Sequence, residues 1–349
     1  MLVVAISGAV LSLLDGRHRE DKFGLWVVNW VSNMLVLVTG ATGFLGRRVV
    51  RELQDRHHQV RCLVHTPGRE RLFPDRSVEI HYGSVSDPAA LADAFYDVEV
   101  VVHLVGIIRQ RKRLTYDQIN RQGVANVVEA AKGTRLKHFI QVSAIGADNS
   151  PAYPYLYSKW RGEQEVIGGG VPYTIIRPSI IFGRGDEFLN ALAGLVRIAP
   201  VMPVVGSGRN RFQPISVGDV ARCIVIAVDR QDLKGKIIEI GGPEQLSYNE
   251  IISVVVKTLG KKRLRVHIPV WLMYLATLVM EKVQPRPPIT IDQLRMLSIR
   301  NVAEPGVVEE TFGFTPRRLE GNIDFVRSVG FWDGVKITLG SMPPHIRDH

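Results

Sequence analysis

Tyr155 and Lys159 stand four residues apart in Tyr155-Leu156-Tyr157-Ser158-Lys159, a spacing that puts both side chains on one face of a helix. A phenol is a poor acid or base near neutrality because its pKa is about 10. An ammonium beside it stabilises the tyrosinate and moves that value toward working pH. Ser143 follows the apolar run His138–Val142 and precedes the tyrosine, so its hydroxyl could hydrogen-bond a substrate carbonyl. These residue types at this spacing suit proton transfer to or from a carbonyl oxygen. Tyr157 is a second phenol, but its spacing to Lys159 takes it off the shared face, so it is expected to pack.

A second constellation lies upstream. The apolar run Leu35-Val36-Leu37-Val38 leads into Thr39-Gly40-Ala41-Thr42-Gly43-Phe44-Leu45-Gly46 and then a helical pattern. In that context Gly40 permits a tight turn, Gly43 lets backbone N–H groups approach a pyrophosphate, and Gly46 lets helix and strand pack closely. The helix start adds free N–H groups and a partial positive charge. The turn therefore predicts a bound dinucleotide. An acidic residue closing the second strand would favour NAD(H). Here that end reads Leu63-Val64-His65-Thr66-Pro67-Gly68-Arg69. His65 and Arg69, with Arg47 just past the glycines, suit a 2′-phosphate, so NADP(H) is the preferred cofactor and NAD(H) the alternative.

The elements that must position these residues alternate. Strands are predicted at Leu35–Val38, Val60–Val64, Val78–Tyr82, Val98–Leu104, His138–Val142 and Tyr173–Arg177. Helices fall between them at Gly43–Arg56, Pro88–Phe95, Tyr116–Lys132 and Tyr155–Ile167. The expected fold is α/β: a doubly wound parallel sheet of Rossmann type with a smaller, mainly helical C-terminal cap. Residues 34–183 would form the dinucleotide domain and 184–330 the cap, with segments near 212–241 returning to the first domain. Within the cap, Glu187–Ile198, Val217–Val228, Ser247–Leu259, Trp271–Val283 and Ile289–Leu297 read as helices, Ile237–Ile240 as a strand and Pro200–Gln213 as loop. Pro285–Pro288 reads as a rigid breaker and residues 331–349 as a tail that frays after Ser341. Residues 1–33 read as an extension, either upstream of a start at Met34 or lying at a membrane interface.

The Gly-x-x-Gly-x-x-Gly spacing and Tyr-x-x-x-Lys together resemble the short-chain dehydrogenase/reductase superfamily, in its extended and atypical branches, from about Met34 to Arg327. That resemblance implies several roles. Lys159 also holds the nicotinamide ribose, Asn120 completes a catalytic tetrad, and Asp87 contacts adenine, although Asp87 before Pro88 is equally a helix cap. Leu104-Val105-Gly106 passes beside the cofactor. Pro178 ends a strand whose following backbone, with Ile180, meets the carboxamide. Asp219 reads more simply as a first-turn helix carboxylate. Val142–Asp148, Tyr155–Glu163 and Pro287–Leu297 are also similar to bacterial relatives of the NAD(P)H-binding accessory subunit of respiratory complex I, which implies a role beside a membrane complex.

Length and composition fit this reading. The chain has 349 residues, 46% of them hydrophobic, and a formal charge of +10. The excess of Lys and Arg favours anionic partners, but no nucleic-acid motif accompanies it, so no specific nucleic acid is expected. Cys62 and Cys223 sit in apolar runs as small core residues of a reducing compartment, and no histidine pair has ligand spacing, so no metal is expected. Ile268–Met280 is apolar and follows Lys261, Lys262, Arg263 and Arg265. It is too short to span a bilayer; a buried cap helix is the preferred reading and a helix lying on a membrane the alternative. The protein is expected in the cytoplasm, with a place at the inner face of the membrane allowed, and its oligomeric state stays open. Two functions follow: an accessory or assembly factor that holds NADP(H), and an NADPH-dependent reductase of a hydrophobic carbonyl or quinone-related substrate. A sugar-nucleotide epimerase or dehydratase shares the fold and ranks third.

Overall fold

Leu35–Thr39 has no polar side to show to water and becomes the central strand β1. The computed structural model describes residues 33–73, 77–110, 114–284, 287 and 289–347. The expectations for the first 33 residues fall outside these apart from Asn33, as do those for Pro285 and Pro288. After β1 come α1 (Gly46–Asp55), β2 (Gln59–Val64), β3 (Glu79–Tyr82), α2 (Pro88–Ala94), β4 (Val100–His103), α3 (Gly123–Ala131), β5 (His138–Val142), α4 (Pro154–Ile167) and β6 (Tyr173–Pro178). The second half contributes β7 (Ile181–Phe182), α5 (Glu187–Ile198), β8 (Val201–Val205), β9 (Arg211–Phe212), β10 (Ile215–Ser216), α6 (Val217–Asp229), β11 (Lys236–Ile240) and β12 (Leu246–Ser247). It ends with α7 (Tyr248–Thr258), β13 (Leu264–Ile268), α8 (Val270–Val283), α9 (Ile291–Met296), α10 (Val307–Phe312), α11 (Phe331–Thr338) and α12 (Pro344–Arg347).

Among the described residues seven parallel strands form the main sheet, in the order β11-β6-β5-β4-β1-β2-β3. This is the doubly wound order, with the direction of winding reversing between β1 and β4. Residues at alternate positions serve opposite faces. Val36 and Val38 pack with α1, α6 and α10, while Leu37 packs with α2, α3 and α4. A further apolar layer joins α5, α7, α11 and the chain around Leu319–Val329.

Three expectations need correction. Pro200–Gln213 is not all loop: β8 lies within it and pairs in parallel with β13, its Met202 and Val204 turned into the core. The partner strand lies far along the chain, so no local pattern marks the pair. The stretch 331–349 is more than a tail, and beyond Ser341 it forms α12, with Ile346 buried. Helix α11 packs on α5 where Gly194 and Gly334 meet so closely that a Cβ on Gly334 would lie 2.6 Å from the Gly194 carbonyl oxygen. Helix α8 is not a buried cap helix: Thr277 is its one buried residue, while Trp271, Leu272, Leu275 and Val279 are exposed.

Candidate active site

The carboxyl ends of β1 and β4 open a crevice where the strand order reverses, the usual ligand position in such sheets. Gly40 turns the chain with φ +76°, and a Cβ there would come within 3.1 Å of both Leu104 C and Val105 N. A Cβ on Gly46 would stand 2.2 Å from the Gly40 carbonyl oxygen and 2.7 Å from the Ala41 backbone. Gly43 is exposed, and its N–H closes the turn on Gly40 O at 3.0 Å. Side chains are thus excluded from the turn wherever backbone must come close. Helix α1 starts with no side-chain cap and no acidic residue in its first turn; the Arg47, Arg48 and Val49 N–H groups turn back to Gly43 O and Leu45 O, so what the start offers an anion is chiefly its partial positive charge. The cradle fits the pyrophosphate of a dinucleotide. Thr42 is half-buried beside it, Phe44 lies against Gly183 and Gly185, and Leu45 packs on the core under α1.

At the adenosine end, His65 Nδ1 is 3.2 Å from Thr66 Oγ1, and Arg69 begins a short 3₁₀ turn. Sequence reasoning missed Glu70 there: its carboxylate accepts the Gly68 N–H at 2.6 Å, placing an acid beside the two basic residues. Asp87 caps α2, its Oδ1 accepting from Ala89 and Ala90 N–H at 3.1 and 3.2 Å.

The nicotinamide end gathers Gly106, Asn120, Ser143, Tyr155 and Lys159. Asn120 lies on a π-helical turn, Asp117–Gln122, of the kind often found at functional sites. Its Oδ1 accepts the Ile107 N–H at 2.8 Å, and its Nδ2 donates to Ile107 O at 3.1 Å and to Ser158 Oγ at 2.9 Å. It therefore ties the loop after β4 to α4. A Cβ on Gly106 would lie 3.4 Å from Asn120 Oδ1 and 3.5 Å from Lys159 Nζ, so the three groups are neighbours. Lys159 is 5% exposed and donates from Nζ to Val142 O at 2.7 Å. Burial lowers its pKa to about 8, although Glu163 one turn along pulls it back up.

Tyr155 departs from a further expectation. Burial raises its pKa to about 12, and Lys159 does not bring it toward neutrality. The phenol therefore stays protonated at working pH. Its ring packs edge-on to Tyr116 with centroids 5.8 Å apart. Burial and the Asp292 carboxylate hold the Tyr116 hydroxyl well above the usual range. Ser143 is buried at the end of β5, and its Oγ has no hydrogen-bond partner among the described residues. Tyr157 stacks on Trp160 at 6.0 Å, away from the site.

Other polar residues lie underneath. Thr39 Oγ1 and His103 Nδ1 are 2.8 Å apart across β1 and β4, both fully buried. Burial and then the Lys159 charge lower the His103 pKa to about 3, so the imidazole is neutral. A histidine ending Val100-Val101-Val102-His103 was the available signal. Arg177 grips the buried Glu163 with two bonds of 2.8 and 2.6 Å, a fork-to-fork pair. Beyond Pro178, the Ile180 N–H donates to Asn301 Oδ1 at 3.2 Å, and Ser179 Oγ to the same atom at 2.6 Å. Asp219 is buried and accepts the Arg317 N–H at 2.8 Å. Among the described residues no group of His, Cys, Asp and Glu could hold a metal ion, and no helix is long and apolar enough to cross a membrane.

Comparison with known proteins agrees with this geometry. A ceramide reductase of Caulobacter vibrioides is 32% identical over 237 residues, covering 67% of this chain and 74% of that protein. The mitochondrial NADH dehydrogenase (ubiquinone) 1 alpha subcomplex subunit 9 of Arabidopsis thaliana is 30% identical over 233 residues, covering 64% of this chain and 58% of that longer protein. The crystal structure of gox2253 superposes with a TM-score of 0.69 at 25% identity, over 84% of this chain and 96% of that one. The model of the NAD dependent epimerase/dehydratase family matches residues 36–241. That match spans more than half of the chain, and the chain belongs to this family.

Proposed function

We propose that the protein is an NADPH-dependent reductase of a hydrophobic carbonyl compound. The observation that carries this reading is the buried Ser143 Oγ, which has no hydrogen-bond partner among the described residues and follows directly on Val142, whose carbonyl accepts from the buried Lys159. An unpaired buried hydroxyl costs stability, so Ser143 Oγ marks a place kept for another molecule. The reduced dinucleotide, when bound, supplies the hydride. Ser143 orients the carbonyl, and Tyr155 donates a proton to its oxygen from a phenol that stays protonated until about pH 12. Lys159 holds the nicotinamide ribose and, as an ammonium below about pH 8, offsets the tyrosinate left behind. Asn120 fixes the loop that carries Gly106. The product is the alcohol. The 32% identical relative named a ceramide reductase supports a lipid-like substrate.

His65 and Arg69 favour NADP(H) through its 2′-phosphate, against the opposing charge of Glu70. Arg69→Gln should weaken NADPH binding and leave NADH binding unchanged.

A second reading rests on α8 and on the likeness to the respiratory-chain subunit: an accessory or assembly protein that retains NADP(H) at a membrane complex. The exposed Trp271, Leu272 and Leu275, with Lys261, Lys262 and Arg265 nearby, suit an anionic membrane surface.

One experiment separates the two. The purified chain is titrated with NADPH and NADH by intrinsic fluorescence, then incubated with long-chain ketones and a short-chain quinone in detergent while cofactor absorbance is followed. Oxidation that disappears in Tyr155→Phe with unchanged affinity supports the reductase. Tight binding with no oxidation by any compound rejects it in favour of the accessory role.

A further inference from the structure

On the outer side of the dinucleotide domain, α1, the start of α6, the Phe182–Arg184 link and the chain from Arg317 to Phe325 enclose a cavity of about 450 Å³. No residue from Gly40 to Gly46 lines it, and neither do His65, Arg69, Ser143, Tyr155 or Lys159. It is therefore separate from the site described above.

Four arginines converge on it: Arg48 and Arg51 from one face of α1, Arg184 from the link after β7, and Arg317. Among the described residues none of the four guanidinium groups has an ion-pair or hydrogen-bond partner, although most arginines elsewhere in the chain do. Carboxylates line the cavity too, but two of them face other cations. Glu52 is 3.8 Å from Arg56, and Asp324 is 3.0 Å from Arg327. Asp55 is the third. Arg48 senses the crowding: burial and then Arg51, Arg184 and Arg317 all make its proton easier to lose, and no acid counters them. Ser216 caps α6 through the Asp219 N–H at 3.1 Å, so Val217 and Gly218, which line the cavity, keep first-turn N–H groups outside the helix ladder.

Four positive charges thus meet one carboxylate, Asp55, that no other cation engages among the described residues, and like charges held together in such excess cost stability unless something compensates them. Planar guanidinium forks match phosphate oxygens in pairs. The space exceeds what one small inorganic ion fills and falls within the range of small-molecule sites.

We infer that this cavity is a second anion site, built for a ligand carrying a phosphate with two or more negative charges. That chemistry is shared by a free polyphosphorylated metabolite and by the headgroup of an anionic phospholipid. The site does not depend on turnover, so it stands whichever function the crevice performs.

The test is calorimetric titration of the full chain, saturated with NADPH, using inorganic pyrophosphate in one arm and monomeric dihexanoyl phosphatidic acid in the other. One site is expected, weakened by salt. Arg184→Gln and Arg317→Gln should each weaken it by about tenfold. Both side chains are exposed, so both variants should fold, which equal melting temperatures will check. Arg69→Gln should leave it unchanged. Tighter binding of pyrophosphate assigns the ligand to the free polyphosphate class, and tighter binding of the lipid assigns it to the headgroup. No heat in either arm, displacement by the dinucleotide, or equal affinity in both arginine variants would overturn the inference.

Discussion

Lys159→Met separates what the fold needs from what the site needs. Burial of the ammonium lowers its pKa from the usual 10.5 to about 8. That difference corresponds to about 3 kcal/mol against folding wherever the lysine is charged in both states. Because the folded pKa lies below the unfolded one, the cost is fully present below pH 8. It shrinks as pH rises from about 8 to 10.5, where the unfolded chain holds the proton and the folded one has released it. Methionine removes the charge while nearly keeping the shape. It also removes the 2.7 Å bond to Val142 O and leaves that carbonyl with only the long 3.5 Å bond from Gln141 Nε2, a loss of about 1–2 kcal/mol.

The variant should therefore be more stable than the parent at neutral pH by about 1–2 kcal/mol and less stable above pH 10.5 by about the same amount. Urea unfolding at several pH values measures this directly. The diagnostic result is the crossing of the two stability curves. Parallel curves, or a variant less stable at every pH, would refute the claim that a buried charge sits here at the fold's expense. In the same variant dinucleotide affinity should drop by about tenfold or more through loss of a charged donor to the ribose. In the parent, affinity should decline as pH passes about 8, since that is where Lys159 loses its proton.

Other consequences are equally direct. Gly46→Ala forces a Cβ to within 2.2 Å of the Gly40 carbonyl oxygen, so it should cost about 1–3 kcal/mol and abolish dinucleotide binding; wild-type affinity in that variant would contradict the packing role of the glycine. His103 is buried neutral with a pKa of about 3, so below its usual 6.5 the unfolded chain takes up a proton that the folded one refuses, and stability falls with acid. Asp186, raised to about 7 by burial, tilts the profile the other way, so the comparison must be with His103→Asn, which should show a shallower acid slope in urea unfolding. Trp271→Glu and Leu275→Glu alter side chains that are 66% and 51% exposed, so stability should move by less than about 0.5 kcal/mol. Both should weaken co-sedimentation with anionic vesicles if α8 lies on a membrane.

The parts of this molecule legible in its sequence are those set by contacts between near neighbours. Leu35–Thr39 announces a strand buried on both faces, and the glycines after it announce backbone in close quarters. Tyr155 and Lys159 share a helix face because four residues make about one turn. What stayed hidden depends on distant chain or on burial. The β8–β13 pair joins Val201–Val205 to Leu264–Ile268 with nothing local to mark it. The contact of Gly194 with Gly334 signals itself only as two glycines inside helical patterns. Apolar composition suggested that α8 is buried, but composition cannot say whether a partner surface exists within the chain. The electrostatics escape the sequence for a related reason: the spacing sets Lys159 to act on Tyr155, yet its own desolvation and the Val142 carbonyl govern it first.

The buried polar groups of the crevice share a direction. A chain selected for stability alone would not bury an ammonium at the end of β5, leave Ser143 Oγ without a partner among the described residues, or keep a neutral histidine beneath them. Each of these is a cost of folding, and all lie within one crevice beside the glycine turn. A protein that only held its nucleotide as a structural element would need the turn and the start of α1, because those grip the pyrophosphate. It would have no use for a hydroxyl held unsatisfied at the nicotinamide end. A reductase has such a use, since that hydroxyl makes its best hydrogen bond to a carbonyl oxygen as the oxygen gains charge.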